Sequence, residues 1–182
     1  MIERVDLGPS PGYVYGGDGP TAVAMPGAML GGMPALAYAF EPLLDAGWRI
    51  VLAWCERAAD RQSDPWEWTA VRTQAALDFA GGADLLVAKS VGTLAAPFDI
   101  PAVWLTPLLN EDEVVAALRA RTQPSLFVGG TDDPMWNGAV ARELGEAVEI
   151  DGADHGLARI EHAPRVAKAV AAFSAGLGGD RS

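Results

Sequence analysis

Cysteine is nearly absent: Cys55 is the only one in 182 residues. That excludes an intrachain disulfide and any metal site built from several thiolates. Positive charge is also scarce, with 13 Lys and Arg against 24 Asp and Glu and a formal net charge of −11. Phosphate binding is driven by basic side chains, so neither a nucleic acid nor an anionic membrane is expected as a partner. An unbroken apolar span is missing as well. Residues 19–40 carry no charge, but Pro20, Pro26 and Pro34 divide them into strand, loop and helix rather than one membrane span. Met1-Ile2-Glu3-Arg4 lacks the basic head and apolar stretch of a secretory signal, so a cytoplasmic protein is expected. What remains is a chain half of whose residues (50%) are hydrophobic, enough for one domain spanning 1–182 with a proper core.

Two kinds of pattern alternate along it. Segments 21–25, 49–54, 83–88, 102–105, 125–128 and 147–150 are short, apolar and mostly uncharged. Such runs read as strands buried on both faces, as in a parallel sheet. Between them lie segments with helical spacing. Leu36, Phe40, Leu43 and Leu44 share a face after Pro34, and Gly47 closes that helix. Asp64-Pro65 gives an N-cap with proline at the first helical position, and Trp68, Val71, Ala75 and Phe79 form the apolar side. Asn110 with Glu113 repeats the cap ahead of Val115 and Leu118. Pro164 opens a last helix, carrying Val166, Val170 and Phe173 and ended by Gly176. The expected fold class is α/β: a doubly wound, mostly parallel sheet of six to seven strands with helices on both faces. A short antiparallel strand near residues 12–15 is the seventh. In such sheets, function sits in the loops beyond the carboxyl ends of the strands.

Three of those loops carry chemistry. After residues 83–88 comes Ala88-Lys89-Ser90-Val91-Gly92. A serine between a buried strand and a helix of small residues is the setting of a nucleophile elbow, which lifts the hydroxyl clear of the sheet. The same residues also fit a serine that merely caps the next helix. After 125–128 comes Gly129-Gly130-Thr131-Asp132-Asp133-Pro134, whose carboxylates could orient a histidine or only form an Asp-Pro turn. After 147–150 comes Asp151-Gly152-Ala153-Asp154-His155. His155 and His162 are the only histidines, and His162, beside Ala163-Pro164, reads as a surface residue.

The order Ser90, Asp133, His155, each after a successive strand, resembles that of the α/β-hydrolases. The likeness is to the small, lidless, dienelactone-hydrolase-like members and runs from about Thr21 to Phe173. Gly130-Thr131-Asp132-Asp133 is similar to the Gly-x-x-Asp setting of that family's acid and selects Asp133, with Asp132 as the alternative. Gly152, Asp154 and His155 resemble its Gly-x-Asp-His. The departure is Ala88, where the elbow usually has glycine. The resemblance implies that Ser90, His155 and Asp133 are catalytic. It also implies an oxyanion hole made by the backbone N–H groups of Val91 and of Ala28 (or Met29) in Met25-Pro26-Gly27-Ala28-Met29. It calls for no cofactor and no metal.

The resulting expectation is a serine hydrolase that cleaves a small carboxylic ester or related acyl substrate through an acyl-enzyme. Met29, Trp104 and Trp136 are candidates for the apolar substrate wall, with Met25, Trp54, Leu108 and Met135 as further members. The short link between Leu105 and Asn110 leaves no room for a cap domain, which favours small acyl groups, and the acidic balance disfavours anionic ones. The alternative expectations are a catalytically silent protein of the same fold that binds a ligand, thiol chemistry at Cys55, and another reaction of the same triad such as acyl transfer.

Overall fold

The computed structural model describes residues 2–27, 33–54 and 64–177. The apolar runs form strands: β1 (Ile2–Asp6), β2 (Pro11–Gly16), β3 (Thr21–Met25), β4 (Arg49–Ala53), β5 (Leu85–Lys89), β6 (Ala102–Leu105), β7 (Ser125–Gly130) and β8 (Glu146–Ile150). They share one sheet in the order β1-β2-β4-β3-β5-β6-β7-β8. The pairings β1–β2 and β2–β4 are antiparallel, and all the others are parallel. The helices are α1 (Ala35–Asp45), α2 (Pro65–Ala80), α3 (Asp112–Arg119), α4 (Gly138–Leu144) and α5 (Ala163–Leu177). Among the described residues, no helix is long and apolar enough to cross a membrane.

Alternation along the central strands explains the uncharged runs. Ala22, Ala24, Ile50, Leu52, Leu85, Val87, Val103 and Leu105 face α1 and α5, and all are buried. Val23, Met25, Val51, Leu86, Ala88, Trp104 and Phe127 face the other way, toward α2 and α3. With both faces covered, no position can alternate to polar, so the strands read as continuous apolar segments.

Several expectations need correction. The sheet has eight strands rather than six or seven because Ile2-Glu3-Arg4-Val5-Asp6 pairs with β2 as an edge. Apart from the half-buried Val5, this edge strand is exposed, so charge is tolerated there and the sequence signal is weak. Helix α2 buries Trp68, Thr69, Thr73 and Ala76, while Val71 (47%) and Phe79 (40%) are exposed. Its inner face combines Trp68 with the smaller Thr69, Thr73 and Ala76, and the Thr73 hydroxyl is absorbed by donation to the Thr69 carbonyl at 2.8 Å. Asp64 does cap α2, accepting from the Trp66 N–H at 2.9 Å. Asn110 caps nothing; α3 starts at Asp112, and the Asn110 amide donates to the Pro134 carbonyl instead. Helix α4, capped by Asn137 and only seven residues long, has too short an apolar pattern to be read from sequence. His162 is buried rather than superficial.

Arg121 pins the far side of the sheet. Its guanidinium donates to the carbonyls of Ala96, Phe98 and Ile100 and lies 5.0 Å from the Trp104 ring centroid. Burial lowers its pKa from the ordinary arginine value, and the Asp99 carboxylate opposes that. Arg121→Met would leave three carbonyls without their charged donor, so a loss of about 3 kcal/mol is expected. A urea melt of the variant against the wild type reads this as a lower midpoint at unchanged slope.

Candidate active site

Strand β5 passes into a 3-10 turn, Ser90–Ala95, with no intervening loop. The junction forces Ser90 to φ 54°, a left-handed conformation that a side-chain-bearing residue adopts at a cost of roughly 1–2 kcal/mol. The turn then runs close beneath β3. A Cβ on Gly92 would stand 2.9 Å from the Met25 carbonyl oxygen and 3.3 Å from the Ala88 Cβ. Glycine at position 92 therefore makes room under the elbow, and that room accommodates the Ala88 methyl. The Thr93 hydroxyl donates to the Ser90 carbonyl and fixes the turn from inside. Gly27, at the exit of β3, crosses the elbow so closely that a Cβ there would lie 3.5 Å from the Ser90 Cβ.

The loops after β7 and β8 are bonded to each other through their backbones. The Thr131 N–H donates to the Ile150 carbonyl at 3.1 Å, and the Asp132 N–H to the Ala153 carbonyl at 3.0 Å. The Gly152 N–H donates to the Thr131 hydroxyl at 2.8 Å. A Cβ on Gly130 would collide with Ala153, so glycine is what lets the two loops touch. Gly152 takes φ 66°, which turns the chain back after β8. Asp154 then accepts from the N–H groups of Gly156 and Leu157, closing the turn that carries His155.

These local features bring Ser90, His155 and Asp133 into one line. Ser90 Oγ lies 2.7 Å from His155 Nε2. On the other side of the ring, His155 Nδ1 lies 3.0 and 2.9 Å from the two Asp133 carboxylate oxygens. The Asp133 side chain has no exposed surface, whereas the imidazole is about a third exposed (32%). Asp133 Oδ1 also accepts from the Met135 N–H at 2.8 Å, which holds the carboxylate in place. The neighbouring Asp132 is exposed and makes no such contact with His155 in this arrangement. A carboxylate on Nδ1 assigns the ring proton there and leaves Nε2 as the acceptor facing the hydroxyl.

No family model matches the chain, and no curated protein matches it by sequence. Solved structures do match it, over nearly its full length. Est1E from Butyrivibrio proteoclasticus aligns with 97% of this chain and 98% of its own, at 15% identity and a TM-score of 0.75. The esterase domain of a Rhodothermus marinus protein aligns with 96% of this chain and 98% of its own, at 12% identity and a TM-score of 0.75. Dienelactone hydrolase from Anabaena variabilis covers 97% of this chain and 96% of its own, at 17% identity and a TM-score of 0.75. The chain has the α/β-hydrolase fold. At these identities, the likeness concerns the fold and not the reaction. Ser90 is the first residue of the turn that follows β5 directly.

Other expected site residues are distributed differently. Ala28, Met29 and Cys55 lie outside the described residues. Val91 is half-buried at the mouth of a groove of about 680 Å³, which is also lined by Trp66, Leu94, Leu108 and Val114. Trp104 does not line a substrate wall. It is fully buried, and its indole N–H donates to the Ser125 hydroxyl at 3.2 Å, toward the opposite end of the sheet from the serine. Trp136 is likewise not part of the groove: its ring packs over Gly129, and its N–H donates to Glu149 at 2.7 Å. Trp54 packs edge-on against Tyr13, and Met25 is buried beneath the elbow. The sequence reading missed Trp66, whose signal was its place directly after the Asp64-Pro65 cap, in the first turn of α2.

Two glycine substitutions separate crowding from backbone strain. Gly130→Ala should cost about 3 kcal/mol, because the loops after β7 and β8 must part. Gly152→Ala meets nothing within 4 Å, so it should cost only the left-handed torsion, about 1–2 kcal/mol. Chemical denaturation of the two variants side by side checks the order.

Proposed function

We propose that the protein is a serine hydrolase that cleaves a small carboxylic ester through an acyl-enzyme. The observation that carries this reading is the 2.7 Å approach of Ser90 Oγ to His155 Nε2, with Asp133 on the far side of the same ring. In this reading Ser90 Oγ attacks the acyl carbonyl carbon as His155 Nε2 takes the hydroxyl proton. Asp133 keeps the Nδ1 proton in place and stabilises the imidazolium that forms. The carbonyl oxygen becomes an oxyanion, met by the N–H groups of Val91 and, as the family resemblance implies, of Ala28. Val91 suits this role because the first N–H groups of a helical turn have no acceptor within the turn. His155 returns the proton to the departing alcohol, and the acyl group stays on Ser90. Water, deprotonated by the same ring, then attacks the ester, and Ser90 recovers its proton as the acid leaves. The third of the imidazole that is exposed gives that water access.

The groove beginning at Val91 suits the acyl or alcohol part of such a substrate. Its floor is apolar, formed by Trp66, Leu94, Leu108 and Val114. Its charged lining among the described residues is acidic throughout, with Asp64, Glu111, Asp112 and Glu113. Neutral or cationic esters therefore fit better than anionic ones.

Wild-type protein should be labelled by a fluorophosphonate probe and should turn over p-nitrophenyl esters of short chain. Ser90→Ala should abolish labelling, and both Ser90→Ala and Asp133→Asn should lower kcat/KM by roughly 10⁴-fold. Labelling that persists in Ser90→Ala would overturn the assignment. A folded wild type that is neither labelled nor active would favour the silent ligand-binding alternative. A second measurement addresses the groove. An ester bearing a carboxylate should be hydrolysed roughly tenfold more slowly than its neutral isostere at low salt, and the gap should narrow as salt is raised.

A further inference from the structure

Lys89 is a buried cation with no part in the chemistry above. It is the last residue of β5, directly before Ser90, and only 7% of its surface is exposed. Its ammonium donates to the backbone carbonyl of His155 at 2.9 Å. Its stem lies against the loop after β3, where a Cβ on Gly27 would stand 2.9 Å from the Lys89 Cδ. One residue is thus joined by its main chain to the serine and by its side chain to the histidine.

We propose that Lys89 is a positioning residue, whose side chain holds the His155 loop at the distance that lets the imidazole take the Ser90 proton. The inference rests on the serine-hydrolase reading. His155 sits in a loop with no strand or helix of its own, and a bond to its own carbonyl is the shortest route to fixing its ring. The ring's other restraint, Asp133, acts on Nδ1, at the far end of the residue from its carbonyl. Lys89 closes the second side. An ammonium is costly to bury, and an apolar side chain of the same length would fill the space at lower cost. Its presence beneath the elbow is therefore explained by what it holds.

The charged groups around the ammonium are Asp133 from the loop after β7 and Asp154 from the loop after β8. The loop after β8 also brings the titratable His155, while Gly27 from the loop after β3 brings no charge. Burial lowers the Lys89 pKa from the ordinary lysine value, and the two carboxylates partly restore it. In the interval between that lowered value and 10.5, the folded protein binds fewer protons than the unfolded chain. The contribution of Lys89 to stability therefore rises with pH across the interval. The bond to His155 changes in the opposite sense, because losing the proton removes the charge that strengthens it. Catalysis should fall over the same interval in which Lys89 becomes less costly to the fold.

The test is the pH dependence of kcat and KM for a p-nitrophenyl ester in wild type, Lys89→Met and Lys89→Arg, with urea melts at each pH. The wild type should show an alkaline decline in kcat below the pH of an ordinary lysine. Lys89→Met should lower kcat on the order of 10- to 100-fold at neutral pH, with KM changed less than about twofold, and should lack the decline. Its stability relative to wild type should fall as pH rises. Lys89→Arg retains a charged donor that does not titrate, so its decline should move to higher pH or vanish. Should Lys89→Met fail to fold, the Lys89→Arg profile decides. Variants that keep the wild-type kcat and alkaline decline, in a protein whose Ser90 is labelled, overturn the role of Lys89 alone. A folded wild type that is neither labelled nor active overturns the hydrolase reading and this inference with it.

Discussion

Backbone closeness at the carboxyl end of the sheet governs the geometry of the site. The loops after β7 and β8 meet where Gly130 faces Ala153, with no space between them for a side chain. The elbow meets β3 where Gly92 faces the Met25 carbonyl. Each contact brings together residues far apart in sequence, and each sets the position of a functional group through main-chain atoms. These main-chain contacts set where the loops lie, and bonds such as Met135 N–H to Asp133 and Lys89 to the His155 carbonyl then hold the functional groups in place. The left-handed Ser90 is the strained result on one side, and the left-handed Gly152 the relaxed one on the other. The sheet supports both because its central strands are buried on both faces and cannot shift register without disrupting the packing of both.

Positive charge, scarce in the chain as a whole, is placed inside with purpose. Lys89 and Arg121 are both substantially buried, and both give their hydrogen bonds to main-chain carbonyls. Arg121 gathers the end of the 3-10 turn and the chain entering β6. Lys89 works at the opposite end of β5, between the serine and the loop after β8. Four acidic residues, Asp64, Glu111, Asp112 and Glu113, line the groove beside α3 and the start of α2. Among the described residues, Lys89 and Arg121 are thus cations turned toward main-chain carbonyls.

The order of the buried strands was legible in the sequence because burial on both faces removes every polar interruption. The elbow, the acid loop and the histidine loop could be located because each follows such a strand. What could not be read is what depends on tertiary competition. Trp104 looks like a pocket residue in a strand-end list, yet its strand buries it, and its N–H points to Ser125. Val71 and Phe79 are the more apolar side of α2, but a close approach to the sheet selects the smaller Thr69 and Thr73. Asn110 has the chemistry of a cap and is instead used to bond the turn after Asp133. Charged edge strand β1 and the seven-residue α4 carry too little pattern for periodicity to detect. Lys89 could be placed beside the serine from sequence, but its direction could not, since a strand residue may face either layer.

The sheet order also separates chemistry from periphery. Strands β5, β6, β7 and β8 are neighbours in space as well as in sequence, and Ser90, Asp133 and His155 all come from the loops that follow them. The hairpin β1–β2 lies beyond β4 at the other margin, paired with the sheet through β4 and tied to α2 where Arg72 donates to the Pro9 carbonyl. Local opening favours sheet margins, and at this one most of β1 is exposed. A fluctuation that peels the hairpin away leaves β3 and β4 still flanking β5 and disturbs none of the three loops. Under the hydrolase reading, fraying of the amino-terminal edge would leave the three groups aligned.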